Sequence, residues 1–249
     1  MKQFGTSYYL GPDINEGPLP TLFYFGLSAE ESLAVDPYNQ PAVFLENFPI
    51  RIFSLNLPAH GPGLPAIHAM SAWAEEVSLG RDPITSFVHE VKTVVDDLKL
   101  QGALIDGKLA VSGLSRGAFI ACHVAASIPN VSTILGFSPL TELTFAKEFK
   151  NLKENPLAEA LNLKHLIPSL IGRTLRFYIG NLDVRVGTHR AFHFIESLAQ
   201  ESFHHKMRSP QVELFIKPSI GQYGHGTSKE TFHEGAAWIA QHLGKPNNA

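Results

Sequence analysis

Short uninterrupted apolar runs alternate along the chain with longer stretches whose apolar positions recur every three to four residues. Short runs bounded by turn formers predict strands, and the 3.6-residue period predicts amphipathic helices. On this pattern residues 7–10 form a strand, closed by the turn-rich segment 11–20. Residues 21–25 (TLFYF) read as a buried strand and 40–48 as a short helix. Residues 50–57 (IRIFSLNL) read as a strand ended by the breaker-rich PAHGPGLP. Helices follow over 68–79 and 83–100; in the second, Phe87, Val91, Val94, Val95 and Leu98 fall on one face. The turn dipeptide Asp106-Gly107 introduces a strand over 108–112. A helix over 116–128 stops at Pro129, and 132–137 is the next strand. Strands over 174–179 and 212–216 alternate with helices over 189–199 and 228–243, and residues 245–249 read as a tail.

Continuous apolar strands separated by helices predict an α/β fold with a mostly parallel central sheet covered on both faces. The expectation is a single domain over 1–249. One interval breaks the rhythm. Residues 141–173 are long for a strand-to-strand crossover and suggest two short helices with Pro156 and Pro168 as breaks. An excursion leaving the carboxyl end of a strand lies where an open α/β sheet binds ligands. Two readings stay open: a small cap, or a crossover with an extra turn. Its apolar residues Phe145, Phe149, Leu157, Leu161, Leu166 and Ile167 suit an apolar substrate or simple packing equally.

Composition sets bounds on this picture. Hydrophobic residues make up 44% of the 249, with 17 Phe, which is enough for a large core and excludes general disorder. The net charge of −3 disfavours a nucleic-acid partner, because binding a phosphate backbone requires a basic field. The single cysteine, Cys122, excludes a disulfide framework and a thiolate-rich metal site, and its apolar helical setting reads as packed core. With no apolar run long enough for a membrane span or a signal-peptide core, the expectation is a cytoplasmic protein.

The chemistry is concentrated at Gly113-Leu114-Ser115-Arg116-Gly117, a G-x-S-x-G match with a strand running in and a helix running out. A sharp strand-to-helix turn projects a serine oxygen above the sheet edge, and the flanking glycines remove side chains that would collide. The helix N-terminus then aims backbone N–H groups at the reacting centre. Such a serine needs a base and an orienting acid. Asp183 directly follows the TLRFYI strand, and His225 sits in the loop Tyr223-Gly224-His225-Gly226 before the last helix. Both occupy carboxyl ends of strands, in the chain order serine, acid, histidine. Glu142 also follows a strand and stays open as an alternative acid. Of the twelve histidines, His189, His193, His204, His205, His233 and His242 fall in or beside helices, as surface residues would. His189 and His193 have the i, i+4 spacing of a metal pair, but no third ligand matches. His60 reads as structural in its turn, and Arg116 with Arg185 suits either an anionic substrate or ordinary surface pairing.

These motifs resemble the α/β-hydrolase superfamily over nearly the whole chain. FSLNLPAHG, residues 53–61, is similar to a stretch usually written D-L-P-G-H-G, with Asn56 where an acid is common. The GLSRG elbow, the GNLDVRVG segment and the final GHG are similar to dienelactone hydrolases and prolyl-oligopeptidase catalytic domains. The resemblance implies Ser115 as nucleophile, Asp183 as acid and His225 as base, with no metal or organic cofactor and a small-molecule substrate. It implies an oxyanion hole of two backbone N–H groups. Phe25-Gly26-Leu27 stands where the family often has His-Gly, so the expected donors are Leu27 N–H and Arg116 N–H. The expected activity is ester or acyl hydrolysis. A small serine peptidase is the alternative, disfavoured by the lack of room for a gating domain ahead of residue 1, and a binding protein that lost turnover is the third reading.

Overall fold

In the computed structural model, residues 1–244 are described, and the expected tail over 245–249 lies outside them. Eight strands form one sheet: β1 (Lys2–Phe4), β2 (Ser7–Leu10), β3 (Leu19–Phe25), β4 (Arg51–Ser54), β5 (Leu104–Leu114), β6 (Val131–Phe137), β7 (Thr174–Gly180) and β8 (Val212–Lys217). Their spatial order is β1-β2-β4-β3-β5-β6-β7-β8. β1 and β2 pair antiparallel at one edge, β2 pairs antiparallel with β4, and every later pairing is parallel.

Side-chain alternation divides the core into two layers. Phe23 and Phe25 enter one cluster with Phe53, Val111, Phe119 and Ile134. Their neighbours Leu22 and Tyr24 enter the other, with Ile52, Ala110, Leu135 and Phe137. Successive strand residues point to opposite faces, so a fully apolar strand needs cover on both. Helices α3 (Ala69–Ser78), α4 (Pro83–Leu100), α5 (Arg116–Ser127) and α8 (Thr188–His204) supply the first face. Helices α2 (Gln40–Leu45) and α9 (Lys229–Gly244) contribute to the second.

The differences from expectation have local causes. β1 and the helix α1 (Ala29–Ala34) were not expected. The strand expected over 50–57 ends at Ser54, and the helix expected over 40–48 ends at Leu45. Asp106-Gly107 is not a turn before β5 but lies inside it. Gly107 sits at φ 72°, where the register against β3 shifts between Leu19 and Thr21, so the dipeptide forms an irregularity in a longer strand. Arg51 is fully buried on β4 and donates to the carbonyls of Ala103 at 2.7 Å and Gly17 at 2.8 Å, tying the turn before β3 to the start of β5.

The excursion over 141–173 holds three 3₁₀ turns and two short helices, α6 (Pro156–Ala160) and α7 (Ile167–Leu170). Pro156 and Pro168 open these helices rather than break them, because the first turn leaves its N–H groups unpaired anyway. Phe149, Leu161, Leu163 and Ile167 are buried in the first core cluster, and Phe145 remains partly exposed under Arg190. Two polar ties hold the segment down: Asn162 Oδ1 accepts from Leu143 N–H at 2.7 Å, and the His123 Nε2 of α5 bonds the Leu161 carbonyl at 3.0 Å.

Burial pushes the His123 imidazole down to about 4, against about 6.5 in an unfolded chain. Between those values the unfolded chain takes up a proton that the native state does not, so His123 costs stability as pH falls through that window. Unfolding by urea at pH 7 and pH 4.5 tests this. The wild-type midpoint drops more than that of His123→Gln, which keeps an N–H donor for Leu161, and equal drops would remove His123 as a cause.

Candidate active site

Ser115 links β5 directly to α5, with φ 57° and ψ −114°. A non-glycine residue there is sterically strained, and the surroundings must hold it. Its N–H donates to the Phe137 carbonyl of β6 at 2.7 Å, and its carbonyl accepts from Ala118 at 3.1 Å and Leu140 at 3.2 Å. The flanking glycines have separate reasons. A Cβ on Gly113 would stand 2.1 Å from the Gly117 carbonyl carbon, so the turn could not close. A Cβ on Gly117 would stand 1.8 Å from the Phe25 carbonyl oxygen. Gly117 therefore lets the end of β3, with Gly26 and Leu27 after it, lie against the elbow.

The sequence-expected serine, histidine and acid come together. His225 Nε2 is 2.9 Å from Ser115 Oγ, and His225 Nδ1 is 2.7 Å from Asp183 Oδ2. Asp183 is buried, and its second oxygen accepts the N–H groups of Arg185 at 3.0 Å and Val186 at 3.2 Å. A carboxylate whose other oxygen is already held by backbone donors has one direction left for the imidazole. Thr188 fixes the acid from behind: its hydroxyl accepts from Asp183 N–H at 2.9 Å and donates to the Gly180 carbonyl at 2.5 Å. Gly224, at φ 71°, carries the histidine loop close to the acid loop, since a Cβ there would stand 2.1 Å from the Leu182 carbonyl oxygen. Gly224 thus serves the approach of the histidine loop to the acid loop. Glu142 stands elsewhere, paired through Oε2 with Arg190 Nη1 at 3.0 Å.

The two expected oxyanion donors differ. Arg116 N–H opens α5, where helix geometry leaves it without an intrahelical acceptor. Leu27 N–H is already engaged, donating to Ser32 Oγ at 3.1 Å, as Gly26 N–H does at 2.9 Å. Ser32 is fully buried on α1 and passes its own proton to the Ser28 carbonyl at 2.6 Å. Leu27 N–H thus has a resident acceptor, which sequence reading did not anticipate. Ser32 and Thr188 were both missed. Single hydroxyls carry no motif, although the S-x-x-E capping box Ser28–Glu31 was a readable signal for α1 itself.

The remaining candidates fall outside this cluster. His60 packs in its turn with Nδ1 on the Pro58 carbonyl at 3.0 Å, and burial pushes the imidazole below its ordinary value. Cys122 is fully buried, and burial pushes its thiol well above the ordinary range. His189 and His193 meet at the surface, Nε2 to Nε2 at 2.8 Å. Among the described residues, no three His, Cys, Asp or Glu side chains group as a metal would require, and no helix is long and apolar enough to cross a membrane.

No protein-family model matches the chain, and no curated protein is similar enough in sequence to match it. Solved structures do match. TT1662 from Thermus thermophilus is 19% identical with a TM-score of 0.71, over 96% of this chain and 94% of that one. A cold-adapted esterase from an Arctic intertidal metagenomic library is 17% identical with a TM-score of 0.65, over 95% and 88%. A dipeptidyl aminopeptidase IV-like protein from Bacteroides ovatus is 13% identical with a TM-score of 0.64, over 96% of this chain and 33% of that one. The chain has the α/β-hydrolase fold, as its motifs led one to expect.

The close contact at Gly117 makes a direct prediction. Gly117→Ala forces the Phe25 carbonyl away and costs about 3 kcal/mol or more. Chemical denaturation measures it, and a loss below about 1 kcal/mol would show that the elbow yields easily.

Proposed function

We propose that the protein is a serine hydrolase that cleaves small or medium esters in the cytoplasm through an acyl-enzyme. The observation carrying this reading is the hydrogen-bonded chain Ser115–His225–Asp183, mounted on a positive-φ elbow. His225 takes the Ser115 proton as Oγ attacks the substrate carbonyl, then returns it to the departing alcohol. Asp183 holds the imidazole with its Nδ1–H toward the carboxylate and stabilises the cation formed in the transition state. Water then attacks the acyl-enzyme with His225 again as base.

Negative charge on the attacked oxygen needs preorganised donors, each worth about 10²–10³ in turnover. Arg116 N–H is the first, supported by the positive end of α5. Leu27 N–H is the second. An oxyanion is a stronger acceptor than the neutral Ser32 hydroxyl, so it draws this N–H away in the transition state. The excursion over residues 141–173, which follows the carboxyl end of β6, bears on substrate choice more than on chemistry.

A fluorophosphonate probe tests the nucleophile: it labels the wild-type protein at Ser115 and leaves Ser115→Ala unlabelled. Folded wild-type protein without label would support a binding protein instead. Asp183→Asn lowers kcat/KM on a p-nitrophenyl ester about 10³-fold or more, whereas Glu142→Gln stays within about twofold. The reverse ranking would move the acid to Glu142. Peptide substrates in the same panel decide the bond type, and faster amide than ester cleavage would shift the reading to a peptidase.

A further inference from the structure

The sheet has two free edges, and they are built differently. β1 spans only Lys2–Phe4, with Lys2 and Gln3 exposed, and offers little for another strand to pair with. β8 reads Val-Glu-Leu-Phe-Ile-Lys and pairs with β7 without a bulge. On its inner side the carbonyls of Gln211 and Lys217 accept the N–H groups of Leu175 and Asn181, at 2.7 Å each. A ladder turns alternate residues toward its neighbour, so the backbones of Glu213 and Phe215 also face β7. The N–H and C=O groups of Val212, Leu214 and Ile216 face away, and among the described residues no strand lies on that side. The usual means of blunting such an edge are not used here. Pro218 comes only after the strand, and Glu234 draws the Lys217 ammonium onto the sheet face at 2.7 Å.

Apolar surface continues beside this edge. Helix α8 packs on β7 and β8, and its Arg190 reaches Glu142 and Phe145 on the side of the excursion. Phe192 and Phe203 are spaced by close to three helical turns and share the opposite flank, the side of the β8 edge. They are 43% and 64% exposed, and Ile216 on the edge itself is 54% exposed.

We propose that β8 pairs antiparallel with β8 of a second copy of this chain, about a two-fold axis through Phe215. Outward backbone groups meet outward ones in a register centred on Leu214 or in one centred on Phe215. The first sets Glu213 against Phe215; the second sets Glu213 against Lys217, and charge selects it. Leu214 and Ile216 then exchange N–H to C=O bonds with Ile216 and Leu214 of the second copy. Arg176 holds Glu213 at 2.6 Å and Glu234 holds Lys217 at 2.7 Å, so alternating charges run across the axis. The two-fold keeps both copies of α8 on one face of the joined sheet, where their Phe192 and Phe203 flanks approach each other. A second copy is the occupant because the same patch completes itself in charge and in apolar surface under this symmetry. The proposal is independent of the hydrolytic reading.

Sedimentation equilibrium tests it. The wild-type chain is expected at twice the monomer mass at micromolar concentration. Ile216→Pro removes an outward N–H that no strand uses, so far-UV circular dichroism stays as in the wild type while the dimer Kd rises about a hundredfold or more. Glu213→Lys and Lys217→Glu each leave like charges facing across the axis and weaken the dimer about tenfold. Mixing these two variants restores both opposite-charge pairs, and a heterodimer of wild-type affinity is expected. A wild-type chain that stays monomeric would overturn the proposal. A dimer whose Kd is unmoved by Ile216→Pro, or charge variants that gain nothing on mixing, would overturn it equally.

Discussion

The site depends on one contact: the backbone of Gly117 pressed against the Phe25 carbonyl oxygen, where even a methyl group would overlap at 1.8 Å. That approach locks α5 onto the end of β3. It holds Ser115 in a positive-φ turn, with its N–H on β6 and its carbonyl accepting from Leu140. It also brings Gly26 and Leu27, which follow Phe25, close to the elbow. Strain at one residue is tolerable because three parallel strands and a buried helix determine its position together.

Around this contact, backbone groups do most of the positioning. Asp183 is aimed by two N–H groups of its own loop, and Thr188 fastens that loop to the end of β7. Gly224 brings the histidine loop against the Leu182 carbonyl. Ser115, Asp183 and His225 therefore stand beyond the carboxyl ends of β5, β7 and β8, each following a different strand. No single helix or loop carries it, and the rigidity of the sheet sets its geometry.

Legibility in the sequence followed the range of the forces. Strands such as TLFYF were readable because burial on both faces leaves an unbroken apolar run, and α4 because one face repeats every three to four residues. The elbow was readable because steric exclusion demands glycine at fixed positions. Helix α1 was not found, since six residues give too short a period, although its capping box was present. Asp106-Gly107 misled because a positive-φ glycine serves a strand irregularity as well as a turn, and only the β3 partner distinguishes them. Pro156 and Pro168 misled because proline both ends and opens helices. Ser32 was invisible for another reason. Its role exists only because folding brings α1 beneath Gly26 and Leu27.

The Ser32 contact fits the proposed hydrolysis. A site ready for charge that appears only during reaction, or only with substrate, must keep that charge's partners satisfied in between. On the proposed reading, the Leu27 N–H is kept satisfied by a neutral hydroxyl that an oxyanion displaces. Burying it with no acceptor would cost about 1–3 kcal/mol, whereas a carboxylate acceptor would compete with the oxyanion itself. The guanidinium of Arg116 rests on a single carbonyl, Ala66, at 2.9 Å. Arg51, by contrast, reaches carbonyls that tie the turn before β3 to the start of β5, a purely structural use of a buried cation.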